Sequence, residues 1–260
     1  MKINFYPLHG QLMVSGSLLA SFDTLTQKFT YLKGNQNQFY FAGAVGQGSR
    51  GRIAFVAQGM FYEIEKDKVI LKIPLPERAT SLYLSADSQQ YVGTLNGLFV
   101  RQGNKFELVK NSVLANERIN QITGDNKRLY VCTKNKGIFI LERGRWSVLS
   151  KLNGLASDIC NYALIDIYDT VWIATNKGIS FFNSNHPTNI KTLTISNGLP
   201  TNEISSLARN ENQLFVATRE GLCRIDLHKK YFNIVPPKIY ISKVVENTKN
   251  VQIENNSILK

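Results

Sequence analysis

Apolar residues along this chain gather in short runs separated by polar breaks, and nowhere does a helical stripe persist over about ten residues. One unit shows the pattern well. Val171-Trp172-Ile173-Ala174-Thr175 is an apolar run, Asn176-Lys177-Gly178 a turn closed by glycine, and Ile179-Ser180-Phe181-Phe182 a second run. The unit recurs as Tyr91-Val92-Gly93-Thr94 with Gly97-Leu98-Phe99, as Tyr130-Val131-Cys132-Thr133 with Gly137-Ile138-Phe139, and as Phe215-Val216-Ala217-Thr218 with Gly221-Leu222-Cys223. A looser copy is Phe55-Val56-Ala57-Gln58-Gly59-Met60-Phe61. The glycines Gly59, Gly97, Gly137, Gly178 and Gly221 are spaced 38 to 43 residues apart. A period near 40 built from strands predicts a β-propeller.

Each repeat divides into four short strands. In the last copy these are 204–208, 213–218, 222–226 and 231–235. The second strands are apolar at successive positions, as in Leu129-Tyr130-Val131-Cys132, so both of their faces must be covered. Radially stacked sheets provide that cover. The fourth strands, such as Lys105-Phe106-Glu107-Leu108, mix polar and apolar residues and fit an outer edge. Six blade-like units follow, at about 2–33, 38–73, 79–110, 118–149, 159–195 and 203–235. The prediction is an all-β propeller over 1–235, with six visible blades or a truncated seven-bladed ring.

A second signal lies between units. Asn153-Gly154-Leu155-Ala156-Ser157-Asp158-Ile159 matches Asn197-Gly198-Leu199-Pro200-Thr201-Asn202-Glu203-Ile204, and 111–119 is a degenerate copy. Asn-Gly supplies a turn, the leucine can pack beneath it, and the short polar residues can bond following amides. These two motifs in fixed order resemble the two-component regulator propeller repeat, found in the sensor regions of Bacteroidetes-type hybrid two-component receptors. The resemblance is strongest over 153–182 and 197–226 and extends weakly over 38–235; the first 37 residues depart from it. The tail, Pro236-Pro237-Lys238-Ile239-Tyr240-Ile241-Ser242-Lys243-Val244, resembles the opening strand of the triple-tyrosine β-sandwich that follows the propeller in such receptors. Residues 246–250 then read as a turn and 251–253 as a second strand, so 236–260 is expected to be an incomplete sandwich.

Composition changes this picture little. At 260 residues and 43% hydrophobic the chain is ample for a core, and no run of 18 apolar residues is present. The N-terminus lacks the pattern of a secretory signal. The net charge of +12 invites a polyanion reading. The basic residues are scattered through turns and outer strands, however, and nucleic acid is not an expected partner. Cys132, Cys160 and Cys223 sit in apolar strands and read as buried small hydrophobes.

Gly46-Gln47-Gly48-Ser49-Arg50-Gly51 has dinucleotide-site spacing, yet a strand, not a helix, follows it, so a hairpin is expected. His9, His186 and His228 have no metal-ligand spacing. Asp23, Asp87, Asp125, Asp158 and Asp169 read as turn residues. Trp172, Tyr91, Tyr130 and Phe215 hold one repeated position and read as packing between blades. No catalytic, cofactor or metal residue is nominated, no cofactor is expected, and ligand contacts cannot be assigned from the repeats.

The resemblance implies a periplasmic sensor module without enzyme activity. It would bind a small molecule or oligosaccharide and signal to a kinase module of the same full-length receptor, which could act as a homodimer. Two alternatives stay open: a protein-interaction scaffold, and a propeller enzyme acting on acidic polysaccharide.

Overall fold

The computed structural model describes residues 4–8, 11–15, 19–23, 26–31, 42–47, 52–65, 68–85, 87–110, 113–228, 244–246 and 249–251. They fall in two units, Met1–Leu227 and His228–Lys260.

The first unit is a series of antiparallel meanders. The first sheet holds β1 (Asn4–Leu8), β2 (Gln11–Ser15), β3 (Leu19–Asp23) and β4 (Lys28–Tyr31). The second holds β5 (Ala42–Gln47), β6 (Ile53–Ala57), β7 (Met60–Glu65) and β8 (Lys68–Pro74). The third holds β9 (Ala79–Leu84), β10 (Gln90–Thr94), β11 (Gly97–Gln102) and β12 (Lys105–Leu108). The fourth holds β13 (Ile119–Gly124), β14 (Arg128–Thr133), β15 (Ile138–Glu142) and β16 (Arg145–Leu149). The fifth holds β17 (Cys160–Ile165), β18 (Thr170–Thr175), β19 (Gly178–Asn183) and β20 (Lys191–Leu193). The sixth, among the described residues, holds β21 (Ile204–Asn210), β22 (Gln213–Thr218) and β23 (Gly221–Asp226). The fourth strand expected at 231–235 lies outside the described residues.

The first strands stand beside one another in order: β5 against β9, β9 against β13, β13 against β17, and β17 against β21. This is the propeller arrangement, and the chain is an all-β propeller. It explains the unbroken apolar second strands. In β14, Tyr130 and Cys132 point towards the fifth sheet and pack with Cys160, Ala163, Val171 and Ile173. Leu129 and Val131 point the other way and pack with Leu98 and Leu114 of the preceding repeat. Each fully buried aliphatic or aromatic side chain contributes about 1.5–3 kcal/mol, so each interface between sheets is a small core of its own. The leucines of the linkers belong to these cores, with Leu114, Leu155 and Leu199 all buried.

Sheets two to six share a device that the hydrophobic pattern hides. The register of each first strand slips by one residue, at Gly43, Thr80, Asn120, Asn161 and Ser205. Such a bulge frees one side chain from the pleat. Thr80 Oγ1 donates to the Ile119 carbonyl (2.5 Å), Asn120 Nδ2 to the Cys160 carbonyl (2.8 Å) and Asn161 Nδ2 to the Ile204 carbonyl (2.7 Å). Each of these three residues thus clasps the next sheet. Ser205 instead donates to Ala217 of its own sheet (3.0 Å).

β1 runs to Leu8 through Pro7; it is a sheet edge, where a missing amide is tolerated. Two expectations need adjustment. Cys223 is half-buried, not buried, on a strand whose Gly221, Leu222 and Arg224 are exposed. In the second unit a hairpin pairs β24 (Val244–Glu246) with β25 (Lys249–Val251), Glu246 opposite Lys249, so the turn is tighter than 246–250. Residues 236–243 and 252–260 of the expected sandwich lie outside the described residues. No helix among the described residues is long and apolar enough to cross a membrane.

Candidate functional site

The linkers and the turns between second and third strands meet at one end of the propeller. Its turns are locked by a repeated threonine. Thr94, Thr133, Thr175 and Thr218 each donate a hydroxyl to the carbonyl of the following turn glycine, at 2.7–2.9 Å. The same hydroxyls accept from the amides of Asn96, Lys136, Lys177 and Glu220. The sequence shows this threonine in four of the five copies, with Gln58 in the looser one; its role emerges only from the geometry.

The linkers are as regular. Ser150 and Thr194 share φ −135 and ψ −174 and cap one-turn segments, Lys151–Asn153 and Ile195–Asn197, each closed by a glycine with positive φ. Asp158 Oδ1 accepts from the Lys151 amide (2.7 Å), and Asn202 Oδ1 accepts from the Ile195 amide (2.9 Å). Ser157 and Thr201 accept from the amides two residues on. Turn and linker are joined across sheets, since the Gly137 amide donates to Asp158 O (2.8 Å) and the Gly178 amide to Asn202 O (2.7 Å).

Acidic residues just before the first strands tie the turns down. Glu117, nearly buried, accepts from the Asn135 amide (3.0 Å) and side chain (3.3 Å), with Lys136 Nζ 3.9 Å away. Glu203, exposed, pairs with Arg219 at 3.2 Å. Arg118, Lys134, Lys151, Lys177 and Glu220 reach solvent at this end. Such a rim can offer cationic donors and turn carbonyls to a hydroxyl- or carboxylate-bearing molecule.

The remaining candidates take structural places. Gly46 and Gln47 lie in β5, and Gln47 pairs with Ile53 of β6, so the glycine-rich segment begins in one strand and is followed by another; 48–51 and His9 lie outside the described residues. The His186 amide donates to Asn183 O in a turn (2.8 Å), and His228 is exposed. Asp23 accepts from Thr26 N and Asp125 from Lys127 N and Arg128 N, while Asp169 takes a positive φ of 57 in its hairpin. Asp87 accepts from Ser85 Oγ. No group of three or more His, Cys, Asp or Glu able to hold a metal occurs among the described residues.

Trp172 and Tyr130 are buried between sheets; Tyr91 and Phe215 are half-buried. Trp172 stacks on Phe181 at 4.4 Å and donates its indole N–H to Asp166 Oδ2 (2.8 Å), a partner the sequence did not single out. Also missed was Glu63, buried between the second and third sheets, where Gln90 Nε2 donates to it and Arg101 and Arg52 lie 3.7 and 3.9 Å away. Asp166 holds the turn step that Asp125 holds in the fourth sheet, but its bond to an indole is its own, since Tyr130 stands where Trp172 does.

Burial pushes the Cys160 and Cys223 thiols up, the opposite of what a nucleophile needs. Burial, helped by Asp125, Asp87 and Tyr91, raises Tyr83 to about 12. Burial also raises Tyr91, Tyr130 and Tyr162.

No protein-family model matches the chain, and no curated protein sequence matches it. Its backbone is similar to several solved β-propellers. The extracellular domain of a hybrid two-component system from B. thetaiotaomicron (BT3049) matches 86% of this chain and 39% of its own, with TM-score 0.62 and 15% identity. The extracellular domain of a one-component system from the same organism (BT4673) matches 86% of this chain and 35% of its own, with TM-score 0.67 and 19% identity. Virginiamycin B lyase from Staphylococcus aureus matches 87% of this chain and 84% of its own, with TM-score 0.65 and 11% identity. This chain therefore spans well under half the length of the two extracellular domains. At these identities the likeness is one of fold: the class is the β-propeller.

Proposed function

We propose that this propeller is the ligand-sensing module of a bacterial two-component receptor of the hybrid histidine kinase type. The supporting observation is the paired motif, in which linkers of matching geometry at Ser150–Asp158 and Thr194–Asn202 alternate with threonine-locked turns. Two of the similar folds are extracellular domains of bacterial one- and two-component systems, which agrees with this reading. The ligand is a small hydroxyl-rich molecule such as a glycan fragment, held at the linker end. It is bound without turnover, and binding is passed to a kinase module elsewhere in the same receptor. The module works in the periplasm, and signalling uses a homodimer.

Calorimetric titration of the chain with neutral and uronate-containing oligosaccharides tests this. Binding that Lys134→Ala with Lys177→Ala weakens at least tenfold is expected. Absence of binding across both panels, or release of unsaturated products from polyuronides, would overturn the reading. Exposed Leu152 (98%) and Ile195 (57%), at neighbouring steps of the two matching linker segments, favour, as the second reading, a surface for another protein. A stable partner lost on Leu152→Ser with Ile195→Ser would support it.

A further inference from the structure

In the third, fourth and fifth sheets the residue after the turn glycine is fully buried: Leu98, Ile138 and Ile179 each have 0% exposure. In the sixth sheet the corresponding residue is Leu222, and it is 70% exposed. Its cross-strand partner Ala217 and the nearby Phe215 are half-buried, where Ala174 and Trp172 of the fifth sheet are buried. The other face of the sixth sheet is closed: Ile204, Leu207, Leu214 and Val216 are all buried. This face repeats its predecessors at Leu222, Ala217 and Phe215, carries an exposed Arg224 where they have Val100, Ile140 and Phe181, and lacks their cover over Leu222.

What covers the equivalent faces is established. Tyr130, Cys132, Ile138 and Ile140 of the fourth sheet meet the aliphatic face of the fifth. Leu98 of the third sheet meets Ile122, Leu129 and Val131 of the fourth. A linker leucine completes each seam, as Leu114 and Leu155 do. Leu222, Ala217 and Phe215 continue this interface in position and chemistry.

We propose that this face of the sixth sheet is a docking surface for one further four-stranded sheet of the same repeat, which presents an aliphatic face like that of Ile122, Leu129 and Val131. A further sheet fits better than a soluble ligand, because Leu222, Ala217 and Phe215 repeat the apolar contacts of the preceding seams. The incoming sheet buries Leu222 as the fourth sheet buries Leu98.

The test uses a Leu222→Cys probe in a Cys223→Ser background. In the 260-residue chain maleimide labelling is expected to be fast. Residues 153–195, one linker and sheet of this chain, are then repeated in frame after residue 235. Labelling is expected to slow at least tenfold, and the urea midpoint to rise. Unchanged labelling in the extended chain overturns the proposal. So does a probe already blocked in the 260-residue chain: if light scattering gives one protomer, the cover is the chain's own, and if it gives two, the occupant is a second copy. A substitution control needs no extension. Leu222→Asp is expected to leave the urea midpoint of the 260-residue chain unchanged while Ile179→Asp abolishes folding; equal losses would overturn the proposal.

Discussion

Gly59 and Gly137 hold nearly the same torsion, φ 74 and 78, in equivalent turns of two sheets. Their surroundings differ. A Cβ at Gly59 meets nothing within 4 Å, whereas a Cβ at Gly137 would overlap the Leu149 carbonyl. Gly59→Ala should therefore cost only the left-handed backbone penalty, about 1–2 kcal/mol. Gly137→Ala should cost at least about 1 kcal/mol more, since overpacking is added. Urea unfolding of both variants would separate backbone preference from steric contact. The clasps make a second residue-level case. Asn161→Ala removes a donor and leaves the Ile204 carbonyl short of a partner, with a loss of about 1–2 kcal/mol expected. Ser205→Ala, which breaks no bond between sheets, should cost less in the same assay.

At the scale of strands and sheets, the hydrophobic pattern revealed the elements well. Two-sided apolarity at Leu129-Tyr130-Val131-Cys132 follows directly from a strand enclosed by two neighbours, so it could be read without coordinates. The one-residue slip at Asn120 and Asn161 could not, because a bulge leaves the alternation on either side looking like an ordinary strand end. Asparagine or threonine at the same step of three successive repeats was the available signal.

The enclosed seams also set an alkaline limit. Tyr83 has a folded-state pKa of about 12 against an ordinary value of 10.0, so the folded protein holds this proton more tightly than the unfolded chain. The stability linked to it is complete below pH 10 and disappears as pH rises through about 12. Tyr91, Tyr130 and Tyr162 shift in the same direction. Tyrosinate absorbance should rise together with loss of β-sheet circular dichroism in that window, and Tyr83→Phe should move the transition to higher pH. An earlier tyrosinate signal with the fold intact would contradict the assignment.

For the whole molecule, stability is shared between neighbours along a line, with each sheet depending on the two beside it. Amide exchange should accordingly be slowest in β14 and β18, whose residues are buried from both sides, and faster in β22 and β23. Uniform protection across the six sheets would show that they unfold as one body. The candidate ligand site was far less legible than the fold. Repetition identifies what every sheet needs, such as Thr175 or Gly178. A ligand selects what differs between sheets, such as Lys134 against Asn176, and one sequence gives no means of ranking such differences.

The clasp residues give the architecture a direction, because Thr80, Asn120 and Asn161 each reach forward to the carbonyl of the sheet that follows. A gene for such a chain can gain or lose about forty codons by unequal recombination between its own near-copies. The product then meets only one unfamiliar seam, since every other sheet keeps its former neighbours. Lineages carrying this fold can thus change the number and order of loops around the rim in single genetic steps, and the side chains that hold the sheets together need not be invented again.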